Sequence, residues 1–265
     1  MSNYFAAGGG DDAALARRRA SGSALRSGKP VDGFMLASSL SLDFVQFLEP
    51  RPGFIVIEME HSHFEFSEVA TCLRMLNLLG VLAFVRIPEI RYEAISKVLD
   101  AGADGVLVPR IRTMDELAEV VDAMRLPPMG SKGIGGYDFQ GGDLAAKLAG
   151  YNDEKILLIQ IETADALTNV DELLGSGQVA GAIIGPFDLS QSLGVPGQFS
   201  SAVFSAAVDA VVEAAARAGV PSGAMMPTPA LAADWSARGM SIRWIGTEVS
   251  LFMAGYRQAR QDYLP

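Results

Sequence analysis

The sequence predicts an α/β protein of one domain, closed as a (β/α)8 TIM barrel, and three observations carry that reading. Eight apolar runs of four to six residues recur along the chain. Each is followed by a longer stretch whose apolar residues fall three or four apart, and the alternation continues without a break in composition. Strict strand-then-helix order buries parallel strands under their crossover helices, and 265 residues is an ordinary length for eight such units. The alternative is a doubly wound sheet. It calls for Gly-x-Gly-x-x-Gly after the first strand, where Ala37-Ser38-Ser39-Leu40 stands instead.

Taken in order, residues 1–23 carry Gly8-Gly9-Gly10, two aspartates and Arg17-Arg18-Arg19. They show no apolar signal core, and they read as a flexible cytoplasmic leader before a catalytic barrel over 24–265. Strands are expected at 33–37, 54–58, 82–87, 105–108, 156–161, 180–184, 221–225 and 242–245, where β-branched and other apolar residues cluster. Helices are expected at 66–79, 92–99, 114–124, 164–174, 202–218 and 229–238, where the apolar spacing changes to three and four. Residues 126–152 are rich in Gly and Pro, and they read as one long loop of the kind that often belongs to an active site.

Composition narrows the chemistry. The net charge of −10 argues against a broad nucleic-acid surface, and no run reaches the roughly 18 apolar residues of a membrane span. Cys72 is the single cysteine, so neither an intrachain disulfide nor a Cys-rich metal site can form. Only His61 and His63 exist, which excludes sites built from three imidazoles. None of the five lysines falls at the C-terminal end of a strand, so a Schiff-base mechanism is disfavoured.

Barrel enzymes place their reactive groups at those strand ends. The second strand ends in Glu58-Met59-Glu60-His61, the third contains Arg86, and the fourth runs into Pro109-Arg110. The fifth ends in Gln160-Ile161-Glu162-Thr163, and the sixth continues Gly185-Pro186-Phe187-Asp188. Glu162 and Asp188 could each be a helix cap, but as a pair from consecutive strand ends they suit a hard divalent cation. His61 beside Glu60 suits a general base, while His63 reads as a loop residue. Arg86 could stabilise an enolate oxygen or anchor an ion pair. Arg110 could receive a second substrate carboxylate or form a rim salt bridge with Glu89 or Asp115. The pattern favours metal-stabilised enolate chemistry on a 2-oxo acid.

The ordered motifs Glu-x-Glu-His, Val-Arg-Ile-Pro, Leu-Asp-Ala-Gly-Ala-Asp-Gly, Val-Pro-Arg, Gln-Ile-Glu-Thr and Gly-Pro-Phe-Asp-Leu-Ser resemble the HpcH/HpaI aldolase family over residues 24–260. These are class II, metal-dependent pyruvate aldolases of the 4-hydroxy-2-oxoheptanedioate aldolase kind. The resemblance implies that Glu162 and Asp188 bind Mg2+, Mn2+ or Co2+, and that Arg86 stabilises the enolate. It implies that His61 pairs with Asp100 and acts as base through a water that Glu60 orients. Gln160, Gly185 and Pro186 would line the pyruvate pocket, with Arg110 and Lys132 on the acceptor side. It further implies a homo-oligomer, a hexamer in which a neighbouring subunit helps close the site. Glu58, Met59, Lys132 and Glu248 stand where relatives commonly carry Asp, Gly, Arg and Asp.

The function expected is reversible cleavage of a 4-hydroxy-2-oxo acid to pyruvate, or a similar 2-oxo acid, and an aldehyde. The alternatives are a citrate-lyase-like or siderophore citrate synthase type of enzyme acting on oxaloacetate or an acyl-CoA, and a catalytically silent 2-oxo acid binder.

Overall fold

The computed structural model describes residues 9–41, 44–140 and 142–264. Eight parallel strands close into one barrel in sequence order: β1 Val31–Leu36, β2 Phe54–Glu58, β3 Leu82–Arg86, β4 Gly105–Val108, β5 Ile156–Ile161, β6 Gly181–Ile184, β7 Ser222–Met225 and β8 Ile242–Thr247. β8 pairs with β1 through Val31↔Ile242, with a shift of register between Gly33 and Met35. Strand alternation then sorts the side chains. Val31, Met35, Phe54, Val56, Leu82, Phe84, Leu107, Leu158, Ile183 and Trp244 form one packed cluster, the barrel interior. Intervening residues such as Leu36, Ile55, Ile57, Val85 and Ile159 form a second, larger cluster with the helices.

The helices are α1 Gly9–Arg26, α2 Phe66–Leu79, α3 Tyr92–Asp100, α4 Met114–Met124, α5 Leu144–Glu154, α6 Ala164–Thr168, α7 Val170–Gly175, α8 Pro186–Ser192, α9 Ala202–Ala218, α10 Pro229–Ala237 and α11 Glu248–Tyr263. α4 begins with a capping box. Thr113 Oγ1 accepts from the Glu116 amide, and the Glu116 carboxylate accepts from the Thr113 amide, each at 3.2 Å.

Three expectations are corrected. The leader is helical from Gly9, and it packs through Ala14 and Leu25, because Ala, Leu and Arg are strong helix formers and one face of α1 is apolar; residues 1–8 lie outside the described ones. The helix expected at 164–174 is two helices, broken at Asn169, whose side-chain amide donates to the Arg112 carbonyl at 2.8 Å. The loop expected at 126–152 contains α5, whose N-cap Asp143 accepts from the Ala145 amide at 2.9 Å.

Candidate active site

The inward alternation that fills the barrel also builds its rim. Glu58 continues the inward series of Phe54 and Val56, Arg86 that of Leu82 and Phe84, and Gln160 that of Ile156 and Leu158. Glu162 lies two residues beyond Gln160, and Gly185 two beyond Ile183. Met59 has the opposite parity and packs on the helix-side core, so its bulk stays out of the site.

Arg86 is clamped by two carboxylates. Its Nη2 pairs with Glu58 Oε2, and its Nε lies 3.3 Å from Glu60 Oε2. The extra methylene of Glu58 lets it fold back on its own loop, where Oε1 accepts from the Glu60 amide at 2.5 Å and the His61 amide at 3.0 Å. Ser62 Oγ donates to the Glu58 carbonyl at 2.5 Å and closes that turn. His61 stands exposed at the mouth, Nε2 3.6 Å from Glu60 Oε1. Burial pushes the Glu60 acid up, and the cation of Arg86 opposes that shift.

Glu162 is a second buried acid of the rim beside Glu58, 3% exposed. Its partners are neutral donors: Arg110 N–H to Oε1 at 2.6 Å and Gln160 Nε2 to Oε2 at 2.5 Å. Burial pushes its acid up to about 7; the Arg110 hydrogen bond opposes this, while Asp188 and Glu60 add to it. The helix-cap reading does not apply to Glu162, because Thr163 Oγ1 caps α6 by accepting from the Ala166 amide at 3.1 Å. Asp188 lies in the first turn of α8, after Gly185 and Pro186. A Cβ on Gly185 would fall 2.6 Å from both Gln160 Nε2 and Glu162 Oε2, so only glycine leaves the space beside these two side chains open.

Arg110 has φ +56°, a left-handed backbone that a non-glycine residue adopts at a cost of about 1 kcal/mol or more. The turn aims its amide at Glu162 and leaves its side chain exposed, where its charge acts on Glu60. The expected rim bridge is not formed, since Glu89 pairs with Arg91 instead. Glu248 holds the loop after β1, its carboxylate accepting from the amides of Ala37, Ser38 and Ser39 at 3.0, 2.6 and 2.9 Å.

Asp100 and Lys132 are not brought to this rim. α3 and α4 run back toward the N-terminal ends of the strands, and both residues follow them to the opposite face of the barrel. There Lys132 Nζ, fully buried, meets Asp100 Oδ1 at 2.5 Å and lies 5.6 Å from the Tyr151 ring centroid. His61 and Asp100 therefore do not pair within one chain. His63 packs its ring on Phe64 at 5.3 Å. Sequence reasoning left Glu58 out of the site set, although its parity with Phe54 and Val56 was a usable signal.

Residues 48–254 match the HpcH/HpaI aldolase/citrate lyase family. The chain belongs to this family. It is 29% identical over 233 residues, 86% of each chain, to the 2-keto-3-deoxy-L-rhamnonate aldolase of Escherichia coli O17:K52:H18. It is 36% identical over 171 residues, 64% of this chain and 68% of the relative, to the hydroxypyruvate/pyruvate aldolase of Sagittula stellata. The crystal structure of an HpcH/HpaI aldolase from Desulfitobacterium hafniense superposes with a TM-score of 0.83 at 29% identity, covering 92% of this chain and 96% of that one. Among the described residues no helix is long and apolar enough to cross a membrane.

Proposed function

We propose that this member of the family is a divalent-metal-dependent carbon–carbon lyase, reversibly cleaving a 4-hydroxy-2-oxo acid to pyruvate or hydroxypyruvate and an aldehyde. The observation that carries the reading is the rim set of Arg86 between two carboxylates and a buried Glu162 that has neutral donors only. A buried carboxylate with no cation bonded to it, coupled to a second one, fits a hard cation well. Among the described residues there is no group of three or more His, Cys, Asp and Glu that could hold a metal, so the cation would rest on two carboxylates of the chain. Glu162 and Asp188 would hold Mg2+, Mn2+ or Co2+, which when bound would draw electron density from the 2-oxo group.

The chain's own groups supply the rest. Neither ion pair of Arg86 uses Nη1, so this donor is free to meet the 2-oxo oxygen as it gains negative charge. His61, beside Glu60, takes the proton of the substrate's 4-hydroxyl on Nε2. The C3–C4 bond then breaks, the aldehyde leaves, and its electron pair becomes the enolate of the 2-oxo acid. Protonation at C3 completes pyruvate. The closed lower barrel keeps water from beneath the enolate, since Phe84 and Leu158 fill it.

Aldol addition of pyruvate and of hydroxypyruvate to a panel of aldehydes tests this reading, run beside oxaloacetate decarboxylation and acyl-CoA turnover. Aldol products with a divalent cation present are expected. Turnover confined to oxaloacetate or acyl-CoA would move the chain to the citrate-lyase-like reading, and no turnover at all would leave a silent binder.

Arg110 is the acceptor-side cation. The Arg110→Gly variant should fold with an unchanged or higher Tm, because glycine relieves the left-handed strain. It should also raise KM about tenfold for acceptors bearing a second carboxylate and spare neutral aldehydes. Equal KM changes for both acceptor classes would remove Arg110 from recognition.

The homo-oligomer also belongs to this proposal. No residue of α11 is fully buried, Leu251 packing only partly on the core, and Phe252 is left 75% and Tyr256 59% exposed. A second copy covering that face accounts for it. Phe252→Asp with Tyr256→Asp should shift the sedimentation coefficient to that of a smaller species. An unchanged coefficient would contradict the assignment of this face.

A further inference from the structure

The N-terminal face of the barrel carries a second cavity, of about 830 Å3, between α1 on one side and α5 with the turn at Tyr137–Phe139 on the other. Its cations are Arg18, Arg19, Arg26, Lys147 and Lys155. Three carboxylates, Asp104, Asp138 and Glu154, oppose them, so the lining is net positive in a chain of net charge −10. Two residues of the N-terminal arginine run, Arg18 and Arg19, which the catalytic rim does not use, line this cavity.

Two of the cations are already neutralised. Arg18 Nε lies 2.7 Å from Asp104 Oδ1, and Lys155 pairs with Asp138. The other three form no ion pair with a described residue, although the carboxylates of Asp104, Glu154 and Asp153 act on Arg26 from farther away. Arg26 donates to the carbonyls of Asp153 and Glu154 at 2.9 and 2.5 Å, and Lys147 to that of Gln140 at 2.7 Å. Arg19 makes no hydrogen bond or ion pair with any described residue. The wall between them includes Tyr151, 4% exposed, whose hydroxyl has no hydrogen-bond partner. The half-buried Phe139 ring stacks on Tyr151 at 5.2 Å and 27°, and both residues line the cavity.

We propose that this cavity binds a phosphate-bearing metabolite of nucleotide size, on the face opposite the catalytic rim. The volume lies within the range of small-molecule sites, roughly 300–1,000 Å3. Arginine forks on one wall and a lysine on the other match phosphate oxygens, and the aromatic Phe139 in the lining suits a planar ring. The buried Asp104 that anchors Arg18 also accepts from the Ala83 amide of β3 at 2.8 Å, so the site is joined to the strand that ends in Arg86.

Calorimetric titration of the full chain in EDTA with pyrophosphate and with ADP tests the proposal while keeping the catalytic cation out. Binding of at least one is expected, weakened tenfold or more by Arg19→Glu with Lys147→Glu and retained in Glu162→Gln. Tighter binding of ADP than of pyrophosphate adds the ring contact, and equal binding assigns the site to phosphate alone. The milder pair Arg19→Gln with Lys147→Gln serves if charge reversal disturbs folding, which circular dichroism reports. Failure of both anions to bind, or loss in Glu162→Gln while the α1 and α5 variants bind normally, would overturn it.

Discussion

Arg86→Ala is expected to lower kcat for 2-oxo acid cleavage by about 10²–10³-fold, the usual cost of one donor aimed at a developing oxyanion. The same variant should lose about 3–5 kcal/mol of stability, because it leaves Glu58 as a buried carboxylate without its cation. The two losses have different origins and can be separated. Adding Glu58→Gln to Arg86→Ala removes the stranded charge, so Tm should recover while kcat stays low. Recovery of activity along with Tm would mean that Arg86 serves the fold alone. Retained kcat in the single variant would exclude Arg86 from the chemistry.

Glu162→Gln should behave in the opposite way for stability. The buried acid is pushed up to about 7, whereas the unfolded chain ionises the same group near 4.5. The cost of holding its charge in the fold is absent below the lower value, grows as pH rises between the two, and is fully present at pH 8. A neutral amide avoids it, so at pH 8 without divalent cations the variant should melt above the parent, by roughly 2–4 °C for each kcal/mol recovered. With Mn2+ at one thousand times its dissociation constant the order reverses, because the cation then stabilises the parent by about 4.1 kcal/mol and the variant should gain nothing. Scanning calorimetry of both proteins with EDTA and with Mn2+ reads all four values. An equal Mn2+ shift in parent and variant would remove Glu162 from the cation site.

The strands were legible because most are buried on both faces and read as short apolar runs. β2, β4 and β5 fall at the expected bounds, and the other five within two residues at each end. Rim residues follow from their place after those runs, which is why Arg86, Gln160 and Glu162 stand at one end of the barrel. Which end of the barrel a loop occupies follows from the strand-then-helix order, and it was the family resemblance that set Lys132 and Asp100 at the rim. Lys132 and Asp100 belong to segments entering β5 and β4, so they lie on the N-terminal face, where a single chain cannot present them to its own rim. The helices missed are α1, α5, α8 and α11, of which α5 and α11 do little for the core. α5 fully buries only Tyr151 and α11 nothing, so their apolar spacing was weak, and the capping residues Asp143 and Thr247 were the clearer signals. Arg110 shows a further limit. Its left-handed turn is imposed by the Glu162 contact and has no signature in the local residues.

The central claim is that this rim forms an enolate from a 2-oxo acid. Exchange of the pyruvate methyl protons with deuterated water, followed by proton NMR, measures that step without any aldehyde. The account predicts exchange with Mg2+, Mn2+ or Co2+, its loss on adding EDTA, and its loss in Arg86→Ala with Glu58→Gln. Absence of exchange with all three cations in the folded parent protein would contradict it.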